Sequence, residues 1–257
     1  MTNSTATDAS NTSELFEQFI REKQYISGVT PKTIRTYRDA WKAFQRYRGE
    51  VSASGVKTFV VTAGESGVSA GAINTFARSV NSFLTWLHRE GYIAEHLKIP
   101  KVKQPKRIIP TYTADDVYRI LSHKPRNVTE TRLLTILALL VDTGIRIHEC
   151  LALRRDAVDL DNLVIKVAGK GQKDRIVPFS IEARKILYRY LQSHKFDVVF
   201  PTQDGRQLRY DNLRADFVAL LERVGVQQTE GCFHAFRRFC ARQYLSNGGS
   251  IRYLQLL

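Results

Sequence analysis

Apolar side chains recur at helical spacing along nearly the whole chain, and one short stretch breaks that rule. Residues 14–23 carry Leu15, Phe16, Phe19 and Ile20 on one face. Thr30-Pro31 supplies an N-cap followed by a proline at the first helical position. The helix opened there places Ile34, Tyr37, Trp41, Phe44 and Tyr47 on one stripe. Gly55 and residues 63–67 interrupt the pattern, which resumes over 70–90 with Ile73, Phe76, Val80, Phe83, Leu84 and Leu87. Gly91 suits a C-cap. Thr113-Ala-Asp-Asp116 reads as a capping box, and helices are predicted over 115–122, 130–142 and 146–153. The period then changes. LVIKV at 163–167 and RIVP at 175–178 are β-rich runs, and the GKGQKD between them suits a hairpin turn. Helical spacing returns over 181–191, 211–224 and 236–246. The expected fold class is mainly α, with one small antiparallel β-sheet in its second half.

The 257 residues suffice for two modest domains, and a boundary is visible between them. KIPKVKQPKRIIPT at 98–111 holds three prolines, five lysines or arginines and no acid. Such a segment is stiff and is expected to lie in solvent or along a polyanion. The predicted organisation is a disordered polar leader (1–11), a helical domain (12–96), a basic linker (97–112) and a second domain (113–257). A net charge of +14 points to nucleic acid. A membrane fits poorly, because the longest apolar run, 133–141, is broken by Thr135 and ends at Asp142. Cys150, Cys232 and Cys240 are odd in number and lack metal-ligand spacing, which suggests a reducing, cytoplasmic setting without disulfides.

Four basic residues carry the chemical signal. Arg146 has Glu149 three residues on, and an arginine held by a carboxylate is pre-oriented to fork a phosphate. Lys170 sits between Gly169 and Gly171 at the predicted hairpin tip. His234 and Arg237 share a helix face. Each pattern alone is common: an arginine–glutamate pair is usually a surface ion pair, and a Gly-Lys-Gly turn is usually a solvated tip. Their conjunction in one basic domain suits neutralisation of phosphate oxygens together with proton transfer. A metal-dependent nuclease using Asp156, Asp159 and Asp161 is a weaker reading, since that cluster also suits a helix end and a turn.

These segments resemble the tyrosine recombinase (phage-integrase) family. TGIRIHECLAL at 143–153 is similar to its first-arginine box, GKGQKDRIVP at 169–178 to its lysine hairpin, and HAFRRFCARQYLSNGGSIRYLQLL from 234 onward to its His-x-x-Arg box. FPT at 200–202 matches too, and TPKTIRTYRDAWKAF and INTFARSVNSFLTWLHREGYI resemble its core-binding domain. The resemblance covers residues 12–257, is closest to simple two-domain Xer-like members, and implies a SAM-like helical N-terminal domain followed by an α-rich catalytic domain. It implies that Arg146 and Arg237 clamp a scissile phosphate, Lys170 protonates the leaving 5′-hydroxyl, His234 assists proton transfer and Glu149 supports Arg146. It also implies a 3′-phosphotyrosyl intermediate with no metal and no ATP. The implied partners are double-stranded DNA and further recombinase subunits, assembled as a tetramer. Expected DNA contacts are Lys32, Arg35, Arg78, Lys101, Lys103, Lys106, Arg107, Lys173 and Arg175. Two departures stand out. His148 occupies a position where serine or glycine is usual, and neither Tyr244 nor Tyr253 falls where the family places its nucleophile. The expectation is therefore a chain that ends at Leu257 before that tyrosine, inactive alone or acting as a DNA-binding regulator, with a tyrosine supplied in trans as a further possibility.

Overall fold

The computed structural model describes residues 9–105, 107–168 and 174–254, with the side chains of Ala9, Ser10 and Tyr253 excluded. The expected hairpin tip, with Lys170 and Lys173, lies outside the described residues, as do Lys106, residues 1–8 and residues 255–257. The chain divides into two compact units, residues 1–107 and 108–257.

The first unit consists of helices α1 (Ala9–Tyr25), α2 (Pro31–Arg46), α3 (Gly55–Glu65) and α4 (Ala70–Arg89). Thr30 and Ser69 cap α2 and α4 by accepting the backbone N–H groups of Thr33 and Ala72. Aromatic rings fill the core. Phe83 of α4 meets Phe16, Phe19, Trp41 and Trp86 at centroid distances of 5.2, 5.4, 5.1 and 6.0 Å. Two expectations are corrected. Helix α1 begins at Ala9, inside the expected leader, because its first turns already bury Thr12 beside Leu15 and Phe16. Gly55 does not interrupt a helix; it starts α3, where a Cβ would lie 2.6 Å from the Glu50 carbonyl oxygen. Glycine is read there as a breaker from propensity, whereas close backbone approach is what requires it.

The basic linker, expected to lie in solvent or along a polyanion, exposes Lys98, Lys101 and Lys103 but buries apolar residues at both ends. Ile99 is 1% exposed and belongs to the core of the first unit, and Val102 packs against that core. At its far end Tyr112 is buried in the second unit. Apolar residues at both ends of the segment, diluted by lysines in the sequence, account for the docking.

The second unit contains α5 (Ala114–Leu121), α6 (Val128–Thr143), α7 (Ile147–Leu151), β1 (Val158–Asp159), β2 (Val164–Val167), β3 (Arg175–Pro178), α8 (Ile181–Leu191), α9 (Tyr210–Val224), α10 (His234–Ser246) and α11 (Ile251–Leu254). The strands form one antiparallel sheet in the order β1-β2-β3, with Ile165 opposite Val177 and Val167 opposite Arg175. Helix α6 is largely buried and packs against α5, α7, α8, α9 and α10, which makes it the central helix. Among the described residues no helix is long and apolar enough to cross a membrane. The aspartates weighed as metal ligands have other partners. Asp159 accepts the N–H groups of Asp161 and Asn162 in the β1–β2 turn, Asp161 pairs with Arg184, and Asp156 pairs with Arg154.

Both tryptophans, Trp41 and Trp86, lie in the first unit, so their fluorescence reports on that unit alone. Phe83→Ala is expected to destabilise it by about 3–5 kcal/mol, read as a lower urea midpoint in tryptophan emission. An unchanged midpoint would contradict Phe83 as the centre of this core.

Candidate phosphate-binding site

The site is built where α6 ends. Gly144 terminates the helix in the left-handed conformation, with φ of 64°. A Cβ there would lie 3.2 Å from the Cys240 sulfur of α10. Glycine thus supplies both the turn and the close approach of α10. Arg237 of α10 donates to the Gly144 carbonyl, so the same turn fixes the second arginine while releasing the chain toward the first.

Arg146 is the N-cap residue of α7, and Glu149 is its third residue. The Glu149 carboxylate reaches back to accept the Arg146 backbone N–H at 2.8 Å, half of a capping box. Its other oxygen accepts from the Arg146 guanidinium at 2.9 Å. Arg175 of β3 then forks the same carboxylate, Nη1 to Oε1 at 2.9 Å and Nη2 to Oε2 at 2.8 Å. Burial works against charge on Glu149, but the hydrogen bonds from Arg175 and Arg146 prevail and hold its pKa at about 2. Glu149 is therefore ionised at neutral pH.

Arg175 has a structural partner that the sequence does not reveal. It was expected to contact DNA, yet its side chain is 18% exposed and its guanidinium is committed to Glu149. The signal was in the strand alternation. Val177 faces the core, so a period of two turns Arg175 inward as well. Arg146 differs: its side chain remains 53% exposed while tethered to Glu149.

His234 opens α10 one turn before Arg237, as the i, i+3 spacing required. Its pKa is lowered by partial burial and by the positive charge of Arg237, Arg238 and Arg146, with His148 adding to them. The Arg237 pKa is lowered by burial and by Arg146 and Arg175. These mutual effects place Arg146, Arg175, Arg237 and His234 in one electrostatic neighbourhood, with Glu149 as the carboxylate among them. Three arginines against one carboxylate leave a surplus of positive charge that an anion would neutralise. His148, exposed, meets Tyr210 of α9 in a tilted arrangement with ring centroids 5.4 Å apart. Tyr210 in turn meets Phe233, the residue before His234, edge-on at 5.7 Å. These aromatic contacts link α7, α9 and the start of α10, and the sequence reading did not anticipate them. Of the residues expected to contact DNA, Lys32, Arg35, Arg78, Lys101, Lys103 and Arg107 are exposed. Among the described residues no group of three His, Cys, Asp or Glu side chains is placed to hold a metal ion.

The ionised Glu149 makes stability pH-dependent. A carboxylate whose pKa falls from the ordinary 4.5 to about 2 on folding adds stability above the ordinary value, and loses it as pH falls toward 2. Glu149→Gln is expected to unfold at lower urea than the parent at neutral pH, followed by far-ultraviolet circular dichroism. The gap should close as pH is lowered from about 4.5 toward 2. A gap of constant size across that window would contradict the assigned ionisation.

Comparison with known proteins agrees with this arrangement. Residues 110–257 match the profile described as "Phage integrase family". The tyrosine recombinase XerA of Thermococcus onnurineus is 30% identical over 238 residues, covering 90% of this chain and 82% of the relative. XerA of Thermococcus kodakarensis is 29% identical over 256 residues, covering 96% and 87%. Among solved structures, the Tn1549 transposon integrase in complex with a circular intermediate DNA aligns with a TM-score of 0.78 at 17% identity, over 95% of this chain and 89% of that one. A lambda integrase dimer bound to a COC′ core site aligns with a TM-score of 0.75 at 16% identity, over 95% and 93%. With the recombinase motifs in order, the fold shared with two integrases and most of its length aligned to XerA proteins, the chain belongs to the phage integrase family of tyrosine recombinases.

Proposed function

We propose that this chain is the scaffold of a site-specific DNA recombinase that grips duplex DNA and holds the scissile phosphate between Arg146 and Arg237. The observation that carries this reading is the assembly of Arg146, Arg175, Arg237 and His234 around Glu149 and the Gly144 turn. Arg146 and Arg237 take the non-bridging oxygens and stabilise the charge of the pentacovalent transition state. Arg175 and Glu149 hold Arg146 in place. His234 exchanges protons with the reacting oxygens, and Lys170 protonates the leaving 5′-hydroxyl. Residues 12–96 act as the core-binding domain and residues 113–257 as the catalytic domain. Support for DNA as partner comes from the +14 net charge and from the structural neighbours, among them a lambda integrase tetramer bound to a Holliday junction. Assembly with further recombinase subunits on DNA belongs to the same reading.

A second reading is a DNA-binding regulator or competitor that grips recombination sites without cutting them. The supporting observation is Tyr244, whose ring packs so closely under Gly249 that a Cβ there would lie 2.3 Å away. The contact fixes the orientation of the ring, which remains 36% exposed.

A nicked suicide duplex carrying the cognate site tests the reading. Residues 1–257 alone are expected to shift the duplex and to form no covalent adduct, while a partner subunit supplying a tyrosine should restore the adduct through Arg146 and Arg237. An adduct formed by residues 1–257 alone would overturn the non-covalent reading. Binding should also take up protons. His234 has a lowered pKa among cations, and a bound phosphate would raise it again. Affinity is therefore expected to increase as pH falls from about 7.5 to about 6, measured by fluorescence anisotropy. His234→Ala should flatten that profile; an equally steep profile in the variant would remove His234 from the phosphate site.

A further inference from the structure

The basic linker is fastened to α4 by a repeated device. Asn81 gives its side-chain amide to the Ile99 carbonyl at 3.2 Å and accepts the Ile99 N–H at 2.7 Å. Asn74 does the same with Val102, at 2.9 and 2.8 Å. Each asparagine thus pairs with both backbone groups of one linker residue, as a neighbouring strand would. The spacings agree. Seven residues of helix rise about 10 Å, and three residues of extended chain span about 9–10 Å.

Two further contacts continue the register. His96 lies 3.3 Å from the Thr85 hydroxyl, and a Cβ on Gly71 would stand 3.2 Å from the Gln104 amide nitrogen. Residues 96–104 therefore run antiparallel to α4, held at 96, 99 and 102, with Gln104 passing close over Gly71. The period of three at the first of these sites is that of a polyproline II chain, and Pro100 and Pro105 favour it. Beside the held positions stand Lys98, Lys101 and Lys103, all exposed. Arg78, also exposed, follows Asn74 by four residues on the same face of α4.

We infer that Asn74 and Asn81 are positioning residues for nucleic-acid binding: they splint residues 96–104 along α4 so that Lys98, Lys101, Lys103 and Arg78 form a prearranged row of cations for a phosphate backbone. A basic Pro-containing linker without the splint would order itself only on binding and lose conformational entropy at that moment. With it, the ordering precedes DNA. The inference rests on the DNA-binding reading proposed above, and deepens it by assigning part of the grip to two uncharged side chains.

A double-mutant cycle tests it. The probe is a short fluorescein-labelled DNA duplex of mixed sequence, and the readout is affinity across a salt series. Lys101→Ala/Lys103→Ala is expected to weaken binding by on the order of tenfold at low salt and to reduce the salt slope by about two. Asn74→Ala/Asn81→Ala is expected to produce a loss of the same order although it changes no charge. In the splint-free background, removing the lysines should add little, because their alignment is already lost. Tryptophan fluorescence shows whether the first unit remains folded at the assay temperature. If the asparagine variant is folded, binds like the parent and loses as much as the parent on lysine removal, the inference is overturned while DNA binding stands. If the parent itself shows no salt-dependent binding to the duplex, the proposed function falls with it.

Discussion

One carboxylate organises the second unit's reactive corner. Glu149 receives the backbone and guanidinium of Arg146 from α7 and the two-pronged guanidinium of Arg175 from β3. It joins a helix to a sheet whose own connection passes through the β1–β2 turn. Its charge also allows several arginines to be held together in the absence of an anion. Deleting one partner of such a half-buried group leaves the others uncompensated, which makes this corner sensitive to single changes. Gly144 complements it from the other side by bringing α10 close enough for Arg237 to reach the end of α6.

The division of labour among the arginines follows from exposure. Arg175 spends its guanidinium on Glu149, whereas Arg146 is tethered yet half open to solvent. A tethered, open arginine is the one pre-oriented to receive a ligand. His234 stands next to these charges and is kept from protonating readily, so its proton affinity would follow the arrival or departure of an anion.

Much of this was legible in the sequence. Capping signals at Thr30 and Thr113 and the helical spacing of Phe16, Trp41 and Phe83 lead directly to the observed helices, because local hydrogen bonding and apolar periodicity determine them. Arg146, Glu149, His234 and Arg237 could be selected because their motifs place them at helix starts. What escaped was non-local. Arg175 was counted as a surface cation since its partner lies twenty-six residues away. The docking of the linker is hidden because its lysines outnumber Ile99 and Val102, and nothing in the composition reveals that Asn74 and Asn81 match its backbone. Gly55 looked like an interruption for the same reason: the Glu50 backbone that crowds it belongs to the folded chain only.

The central claim is that Arg146 and Arg237 form a phosphate-binding pair before any DNA arrives. Nuclear magnetic resonance of arginine side-chain Nε–H groups, followed while inorganic phosphate is added at constant ionic strength, tests it most directly. The account predicts saturable shifts for Arg146 and Arg237, with exposed arginines such as Arg35 and Arg78 moving little. Shifts of equal size and no saturation at all four would contradict it.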